Sequence, residues 1–283
     1  MSNIRIVTDS AYDLPQALVE QHGITVVSLS IRFGDEELLD REQLSTAEFW
    51  SRCAKSATLP ETAAPSPGQF EQAYRGLADA GATGIVVINL SGAMSATIQS
   101  AELAAKSFDA VPIRVVDSRN CTLGLGMIVV AAAEAAAKGA SIDEVADLAT
   151  DLAGRTRVFG ALDTLENLKK GGRIGGAKAM LATALAIKPI IQVDDGKVAE
   201  YGKQRTRSKA LKFLAEKVAE FTAGDPERIE HLAVLQADCS DVDEFVAMLR
   251  PHYPGEIVVG EIGPVVGTHA GRGTIGVAFQ VRG

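Results

Sequence analysis

A hydroxyl-rich segment in the first third of the chain combines residue types that could bind an anion. An apolar run over residues 84–90 is followed by a small-residue turn and a helix-like stretch, with Ser95, Ala96 and Thr97 at the junction. The first backbone N–H groups of a helix favour an anion, and serine or threonine hydroxyls add further donors. The segment therefore predicts a turn that binds a carboxylate or a phosphate. The alternative is that Ser95 only caps the helix, the commoner role of a serine in that position.

Two other segments place polar groups where a ligand could bind. The apolar run over residues 4–7 leads into Asp9 and Ser10, at the point where open α/β sheets present ligands. The alternative is that these two residues only turn and cap the chain. Near the C-terminus, His269 lies among glycines and could donate either to an anion or to the backbone. The pattern G-x-G-x-x-G at residues 271–276 does not predict a dinucleotide site, because only seven residues follow it.

Basic residues are concentrated in two places on this acidic chain. Residues 165–176 predict a helix that ends at Gly171 as its C′ residue, followed by a second helix. Two lysines and Arg173 could approach a phosphate there, but the Walker pattern is missing, so another protein would have to supply a nucleotide. The second concentration, residues 203–212, leads into a helix with one apolar face, so its charges face water or a partner.

Composition narrows the classes of protein to be considered. The chain has 283 residues, 47% of them hydrophobic, and a formal net charge of −8, which suits a large buried core and argues against a nucleic-acid partner. Its three cysteines are isolated in sequence, so we expect neither a disulfide framework nor a metal site, and a cytoplasmic location fits. The first residues lack the apolar core of a signal peptide, and the alanine-rich run at 124–138 is too short to span a bilayer. We therefore expect a soluble protein without an integral membrane segment.

Short β-branched runs alternate with longer amphipathic stretches, which predicts an α/β fold with a mostly parallel sheet in the first half. The predicted strands cover residues 4–7, 24–29, 84–90, 113–117, 157–161, 187–193, 197–202, 232–237 and 256–261. Capping-box spacing predicts helices that begin after Ser45 and Ser141, and residues 59–68 form a loop before another helix. Residues 194–196 predict a hairpin turn.

The change of pattern near Gly154 predicts two domains. Residues 1–154 would form an N-terminal α/β domain with a mostly parallel sheet, and residues 155–283 a C-terminal α/β domain with a mixed sheet.

Taken together, these segments resemble the DegV family along essentially the whole chain. The resemblance rests on residues 7–10 with 13–15, 62–67, 94–101, 117–118, 169–176 with 186–189, and 267–273. It implies two α/β domains with a lipid-binding cleft between them, in which an apolar tunnel holds one long-chain fatty acid. It also implies a fatty-acid-binding subunit of a bacterial fatty-acid kinase, serving phospholipid metabolism. Such a subunit presents the carboxylate to a separate ATP-using kinase subunit that forms acyl-phosphate.

The resemblance also assigns roles to single residues. It implies that the carboxylate is held by Thr62, Ser95, His269 and the Ala96 N–H, that Arg173 serves phosphoryl transfer or kinase docking, and that Asp9, Ser10, Thr97 and Arg272 are pocket neighbours. The chain departs from the family's usual pattern at Ala63, Ala64 and Arg272, which changes the expected mouth of the pocket. Apart from the bound fatty acid we expect no cofactor, no metal and no catalytic residue.

Two alternatives from other classes stay open at this point. The first is an acyl-transfer or hydrolytic enzyme with Ser95 as nucleophile and His269 as base, although no G-x-S-x-G elbow surrounds Ser95 and the sequence identifies no orienting acid. The second is a binding module for another small anionic ligand, such as a phosphorylated metabolite, at the same helix N-terminus.

Overall fold

The computed structural model describes residues 3–283, without the side chains of residues 182–186. In the first half of the chain the elements are β1 (Ile4–Asp9), α1 (Gln16–Gln21), β2 (Thr25–Val27), β3 (Ser30–Phe33), β4 (Glu36–Leu39), α2 (Thr46–Lys55), β5 (Glu61–Ala63), α3 (Pro67–Asp79), β6 (Gly84–Asn89), α4 (Thr97–Ser107), β7 (Ile113–Asp117), α5 (Thr122–Ala137) and α6 (Ile142–Arg155). The second half contains β8 (Thr156–Ala161), α7 (Glu166–Lys170), β9 (Lys188–Asp194), β10 (Lys197–Gln204), α8 (Arg207–Thr222), β11 (Ile229–Gln236), α9 (Val242–Leu249), β12 (Ile257–Glu261), α10 (Pro264–Ala270) and β13 (Ile275–Val281). Within the described residues, the 3₁₀ segments Ser10–Tyr12, Gly175–Ala186 and Pro226–Arg228 lie between these elements.

The first half is organised around a parallel sheet with strand order β2-β1-β6-β7. Strand β6 is buried along its whole length because helices cover both faces of the sheet. Val86 and Ile88 pack with α5 and α6, whereas Ile85 and Val87 pack with α3 and α4. Buried residues on both faces explain why this strand reads as a continuous apolar run rather than an alternating one.

The second half forms a six-stranded mixed sheet with order β10-β9-β8-β13-β11-β12, in which only β11 and β12 run parallel. One face packs under α8 and α9 through residues such as Phe159 and Phe279. The other face, including Val158 and Leu235, packs in the same core as α5.

Helix α5 is therefore buried between the two sheets. Its alanines and glycines allow this close approach, since a side chain on Gly126 would meet the Tyr12 carbonyl oxygen at 2.5 Å and one on Gly124 would meet Val158 at 2.5 Å.

The fold class and the main elements predicted from the sequence are confirmed, including the helix starts at Ser45 and Ser141. The β9–β10 hairpin is also as predicted, with the left-handed residues Asp195 and Gly196 in its turn. The chain passes from α6 to the six-stranded sheet at residues 155–156. The division into domains 1–154 and 155–283 stays a prediction.

Several strands were not predicted. A small antiparallel sheet with order β4-β3-β5 uses residues assigned to a loop or to no element. Strand β13 follows the glycine-rich segment and pairs with β8 and β11 in the centre of the six-stranded sheet. The predicted strand over residues 24–29 is shorter, since β2 ends at Val27, and the expected second helix after Arg173 is a 3₁₀ segment.

Candidate functional site

A central cavity opens at the carboxyl ends of the parallel strands, where α/β sheets place their ligands. About 100 Å³ of its interior is open to a sphere the size of a water molecule. Its walls come from both halves of the chain and are mostly aliphatic, with Leu29, Leu90, Val158, Leu162, Leu168, Ile191, Val193, Val198, Leu235, Ile262, Val265 and Val266 among them. Thr62, Ser95, Arg173 and His269 also line this cavity. The structure thus brings together four residues that are far apart in sequence.

Thr62 and His269 form a hydrogen-bonded pair in the wall of the cavity. Thr62 is in β5 and His269 is near the end of α10, and the Thr62 Oγ1 and His269 Nε2 atoms are 3.0 Å apart. Burial, followed by the nearby Arg173 guanidinium, lowers the pKa of His269 to about 4. The ring is therefore neutral near pH 7 and carries one proton.

That proton belongs on Nε2. The His269 Nδ1 atom is buried and has no hydrogen-bond partner among the residues that the structure describes. An unpartnered N–H in that place would cost more than an unpartnered acceptor, so Nε2 carries the hydrogen and donates it to Thr62 Oγ1. The Thr62 hydroxyl hydrogen is then free to donate into the cavity.

Gly171 allows the histidine ring to occupy this position. A side-chain Cβ on Gly171 would lie 2.2 Å from His269 Nδ1 and 2.9 Å from Cε1. The prediction that Gly171 is the C′ residue of its helix is wrong, because Gly171 is the C-cap residue, with right-handed angles (φ −74°, ψ −6°), and the next residue, Gly172, has φ +72°. The helix simply continues one residue further. Gly171 is needed for space at His269 rather than for its backbone conformation.

Ser95 lies in the loop between β6 and α4, as the sequence predicted. Its hydroxyl accepts a hydrogen bond from the Thr97 N–H at 3.3 Å and lies 2.9 Å from Thr97 Oγ1. If the Thr97 hydroxyl donates to Ser95, the Ser95 hydrogen can donate to a ligand. Ala96 is the exposed N-cap residue of α4, and its N–H donates to no other group in the part of the chain that the structure describes.

Arg173 links the loop that carries Ser95 to the end of α7 beside His269. Its guanidinium donates to the Met94 carbonyl oxygen at 3.2 Å and to the Gly171 carbonyl oxygen at 2.7 Å. The residue is exposed and also lines an outer groove, which we define as the space bounded by residues 57–62, Lys170, Gly171, Arg173, Thr268 and His269. Because Thr62, Arg173 and His269 line both spaces, they separate the apolar cavity from a polar groove open to solvent.

The expected pocket neighbours do not line the cavity. Asp9 is fully buried and accepts hydrogen bonds from the Leu90 N–H at 2.7 Å and the Ala11 N–H at 3.0 Å, so it caps and supports the sheet edge. Burial raises the pKa of Asp9 to about 6, against the hydrogen bonds that lower it. Ser10 Oγ accepts from the Leu29 N–H, and Arg272 is exposed and pairs with Asp238 at 2.5 Å. Only Thr97, through its contact with Ser95, adjoins the candidate site.

Nucleophilic catalysis receives no support from this geometry. His269 Nε2 faces Thr62, and no hydrogen bond joins His269 to Ser95 within residues 3–283. No carboxylate among the described side chains contacts Nδ1, so a Ser-His-Asp arrangement is not present there.

Comparison with known proteins places this architecture in a family. The DegV family model, described as "Uncharacterised protein, DegV family", matches residues 3–282. A DegV domain-containing protein of Streptomyces coelicolor is 38% identical over 284 residues, which cover 99% of each chain. A DegV domain-containing protein of Mycobacterium tuberculosis is 36% identical over 281 residues, covering 98% of this chain and 96% of the relative. This chain belongs to the DegV family.

Solved DegV structures share the whole fold. A Thermus thermophilus DegV family protein, described by its fatty-acid binding, superposes with a TM-score of 0.91 at 34% identity, covering 99% of this chain and 100% of that one. DegV of Bacillus subtilis, described as a fatty acid binding protein, superposes with a TM-score of 0.90 at 28% identity and covers 100% of both chains.

Two further findings on this DegV chain concern metals and membranes. The described residues include no group of three or more His, Cys, Asp or Glu side chains placed to hold a metal ion. Within the same residues, no helix combines the length and the apolar character required to cross a membrane.

Sequence reasoning on this DegV chain missed the walls of the cavity and the role of Gly171. The wall residues of β8, β9 and β10 are ordinary strand residues in the sequence, and only long-range pairing turns them toward the cavity. The four glycines over residues 171–176 were the signal for Gly171, since one helix cap requires only one of them.

Proposed function

We propose that this protein binds one long-chain fatty acid, with the acyl chain in the central cavity and the carboxylate at Thr62, Ser95 and His269. The observation that carries the proposal is a mostly aliphatic cavity whose few polar groups gather next to a solvent-facing groove. The fatty-acid binding described for the Thermus thermophilus and Bacillus subtilis DegV proteins supports the same ligand class.

The energetics suit an amphiphilic ligand. Burial of an acyl chain contributes about 0.8 kcal/mol for each CH₂ group, so a long chain supplies most of the binding free energy. The carboxylate must be given hydrogen bonds in exchange for water, because an unsatisfied charge is costly to bury. The Thr62 and Ser95 hydroxyls and the Ala96 N–H are neutral donors, and Arg173 supplies a positive charge at the exposed side. We therefore expect the carboxylate to bind in its ionised form.

The same proposal includes presentation of the carboxylate to a separate ATP-using kinase subunit, which forms acyl-phosphate. Because Thr62, Arg173 and His269 border the outer groove, a carboxylate held there lies within reach of a reagent from outside the cavity. Exposed cations in the 203–212 segment, Lys203, Arg205, Lys209 and Lys212, support a docking role, whereas Arg207 is paired with Asp241 at 2.8 Å. A cytoplasmic location belongs to this proposal, and the free thiols of all three cysteines support it.

Ligand identification tests the binding part of the proposal. Denaturing extraction of the purified protein followed by mass spectrometry should release a fatty acid near one equivalent. Thr62→Val and Ser95→Ala should each weaken fatty-acid affinity about tenfold or more, because each removes one donor to a charged group. Thr150→Val, which removes a hydroxyl that donates to the Ala146 carbonyl oxygen within α6, away from the cavity, serves as the control. A wild-type protein that is empty and does not bind added fatty acids would contradict the proposal.

A reconstituted phosphorylation assay tests the kinase part. Arg173→Ala should retain bound lipid but support little acyl-phosphate formation, whereas Lys178→Ala, which removes another exposed cation, should leave formation near the wild-type rate. Unchanged acyl-phosphate formation by Arg173→Ala would remove that role from Arg173 while leaving lipid binding untouched.

A further inference from the structure

The β9–β10 hairpin forms one wall of the central cavity, and its tip contacts the other half of the chain. Ile191 and Val193 of β9 and Val198 of β10 line the cavity. The turn between these strands, Asp194 to Gly196, reaches residues that follow β6 and β7. The tip thus fixes this wall of the cavity to the other half of the chain.

One buried hydroxyl holds this tip. Ser91 is fully buried, and its Oγ donates a hydrogen bond to the Gly196 carbonyl oxygen at 2.7 Å. Gly196 has φ +73°, and a Cβ on it would lie 2.4 Å from Ser91 Oγ, so the two backbones meet without space for a side chain. The neighbouring ion pair of Arg119 and Asp195 is exposed on both sides and contributes little. The Ser91 hydrogen bond is thus the main polar contact of the tip.

The same residue builds the loop that carries Ser95. Ser91 Oγ accepts from the Ala93 N–H at 3.2 Å, and the Ser91 carbonyl oxygen accepts from the N–H groups of Met94 at 2.9 Å and Ser95 at 3.2 Å. The Ser91 N–H in turn donates to the Asn120 carbonyl oxygen at 2.8 Å. A shift of Ser91 would therefore move both the hairpin tip and the turn that sets the Ser95 hydroxyl.

We propose that Ser91 is a positioning residue that couples closure of the β9–β10 hairpin over the acyl chain to placement of Ser95 at the carboxylate. The inference rests on the proposed fatty-acid binding and adds a residue that does not touch the ligand. Hairpin opening and loss of the Ser95 contact become one event, so release of the acyl chain and release of the carboxylate occur together.

Hydrogen exchange of the ligand-free protein tests the coupling without any ligand. Ser91→Ala should raise amide exchange about tenfold in the hairpin tip, residues 193–198, and equally in residues 92–97, because the hydroxyl's hydrogen bonds to Gly196 and to Ala93 are both lost. Thr222→Val is the control, since Thr222 is also buried but its hydroxyl bonds only to the Ala219 carbonyl oxygen within α8. Exchange that rises in only one of the two segments, or rises equally in Thr222→Val, would overturn the coupling.

Fatty-acid release provides the second readout. Ser91→Ala and Gly196→Ala should each accelerate dissociation of cis-parinaric acid about tenfold, and the double variant should be no faster than either one, because both disrupt the same contact. Gly34→Ala is the control for Gly196→Ala, since Gly34 is also left-handed, at φ +61°, but has open space around its Cβ position. Additive effects, or release unchanged in both variants, would overturn the proposal. If the wild type fails to bind cis-parinaric or any other fatty acid, the proposed function fails, and the exchange experiment still decides the coupling.

Discussion

Replacement of Gly171 by alanine should displace His269 without destabilising the fold. The new Cβ would lie 2.2 Å from His269 Nδ1, so the ring must move by about 1.2 Å to reach an ordinary contact near 3.4 Å. The Thr62–His269 hydrogen bond, now 3.0 Å long, then lengthens beyond hydrogen-bonding distance. The Gly171 backbone itself tolerates alanine, because its φ of −74° is right-handed.

We expect Gly171→Ala to weaken ligand binding. Without the histidine, the Thr62 hydroxyl is no longer held with its hydrogen toward the carboxylate. Loss of that hydrogen bond to a charged group is worth about 1.5–3 kcal/mol, so the Kd for oleate should rise about 10- to 150-fold. The thermal midpoint should stay near that of the wild type. Isothermal titration of delipidated protein measures the affinity, and Gly76→Ala in α3 is the control, since a Cβ there meets nothing within 4 Å. Wild-type affinity in Gly171→Ala would refute both the steric argument and the placement of the carboxylate beside His269.

Three other predictions concern titration and packing. The pKa of His269, about 4 in the free protein, should rise when a fatty acid binds, because a nearby carboxylate favours the imidazolium. NMR titration of the imidazole measures this pKa, and an unchanged value would place the anion elsewhere. Burial raises the pKa of Asp40 from 3.8 to about 7. Because this carboxyl ionises more readily in the unfolded chain, it lowers the free energy of unfolding progressively as the pH rises from about 4 to 7. Asp40→Asn should therefore raise the thermal midpoint at pH 8 and lose that advantage at pH 4. Gly126→Ala should cost about 1–3 kcal/mol in urea unfolding because its Cβ would lie 2.5 Å from the Tyr12 carbonyl oxygen; wild-type stability would contradict that packing.

The parallel half of the fold was predictable because its signals are local. A buried parallel strand such as β6 is a continuous apolar run, and Ser141 with Glu144 marks a helix start by its own spacing, which the structure shows as a complete capping box. The alanine-rich run of α5 is visible in the sequence, but its place between two sheets is not. That place depends on the six-stranded sheet, which forms later in the chain.

The missed strands depend on partners far away in sequence. Strand β5 is three residues long and exists because residues 61–63 pair with β3. Strand β13 follows a glycine-rich turn and takes its place only because β8 and β11 lie on either side of it. Neither segment shows enough periodicity to predict a strand by itself.

The same long-range anchoring decides what the candidate site can do. The family resemblance identifies Thr62 and His269, but the geometry that pairs them depends on two long-range contacts that the sequence does not predict. The register of β5 against β3 sets Thr62 opposite Ile31, and the buried Asp13 carboxylate accepts the Gly263 N–H at 2.9 Å, which fixes the start of α10. These anchors bury the His269 ring, and burial is what keeps it neutral. Neutral donors in the cavity wall, with the Arg173 guanidinium on the solvent side, support the proposal that the carboxylate binds at the boundary between the cavity and the outer groove rather than within the aliphatic interior.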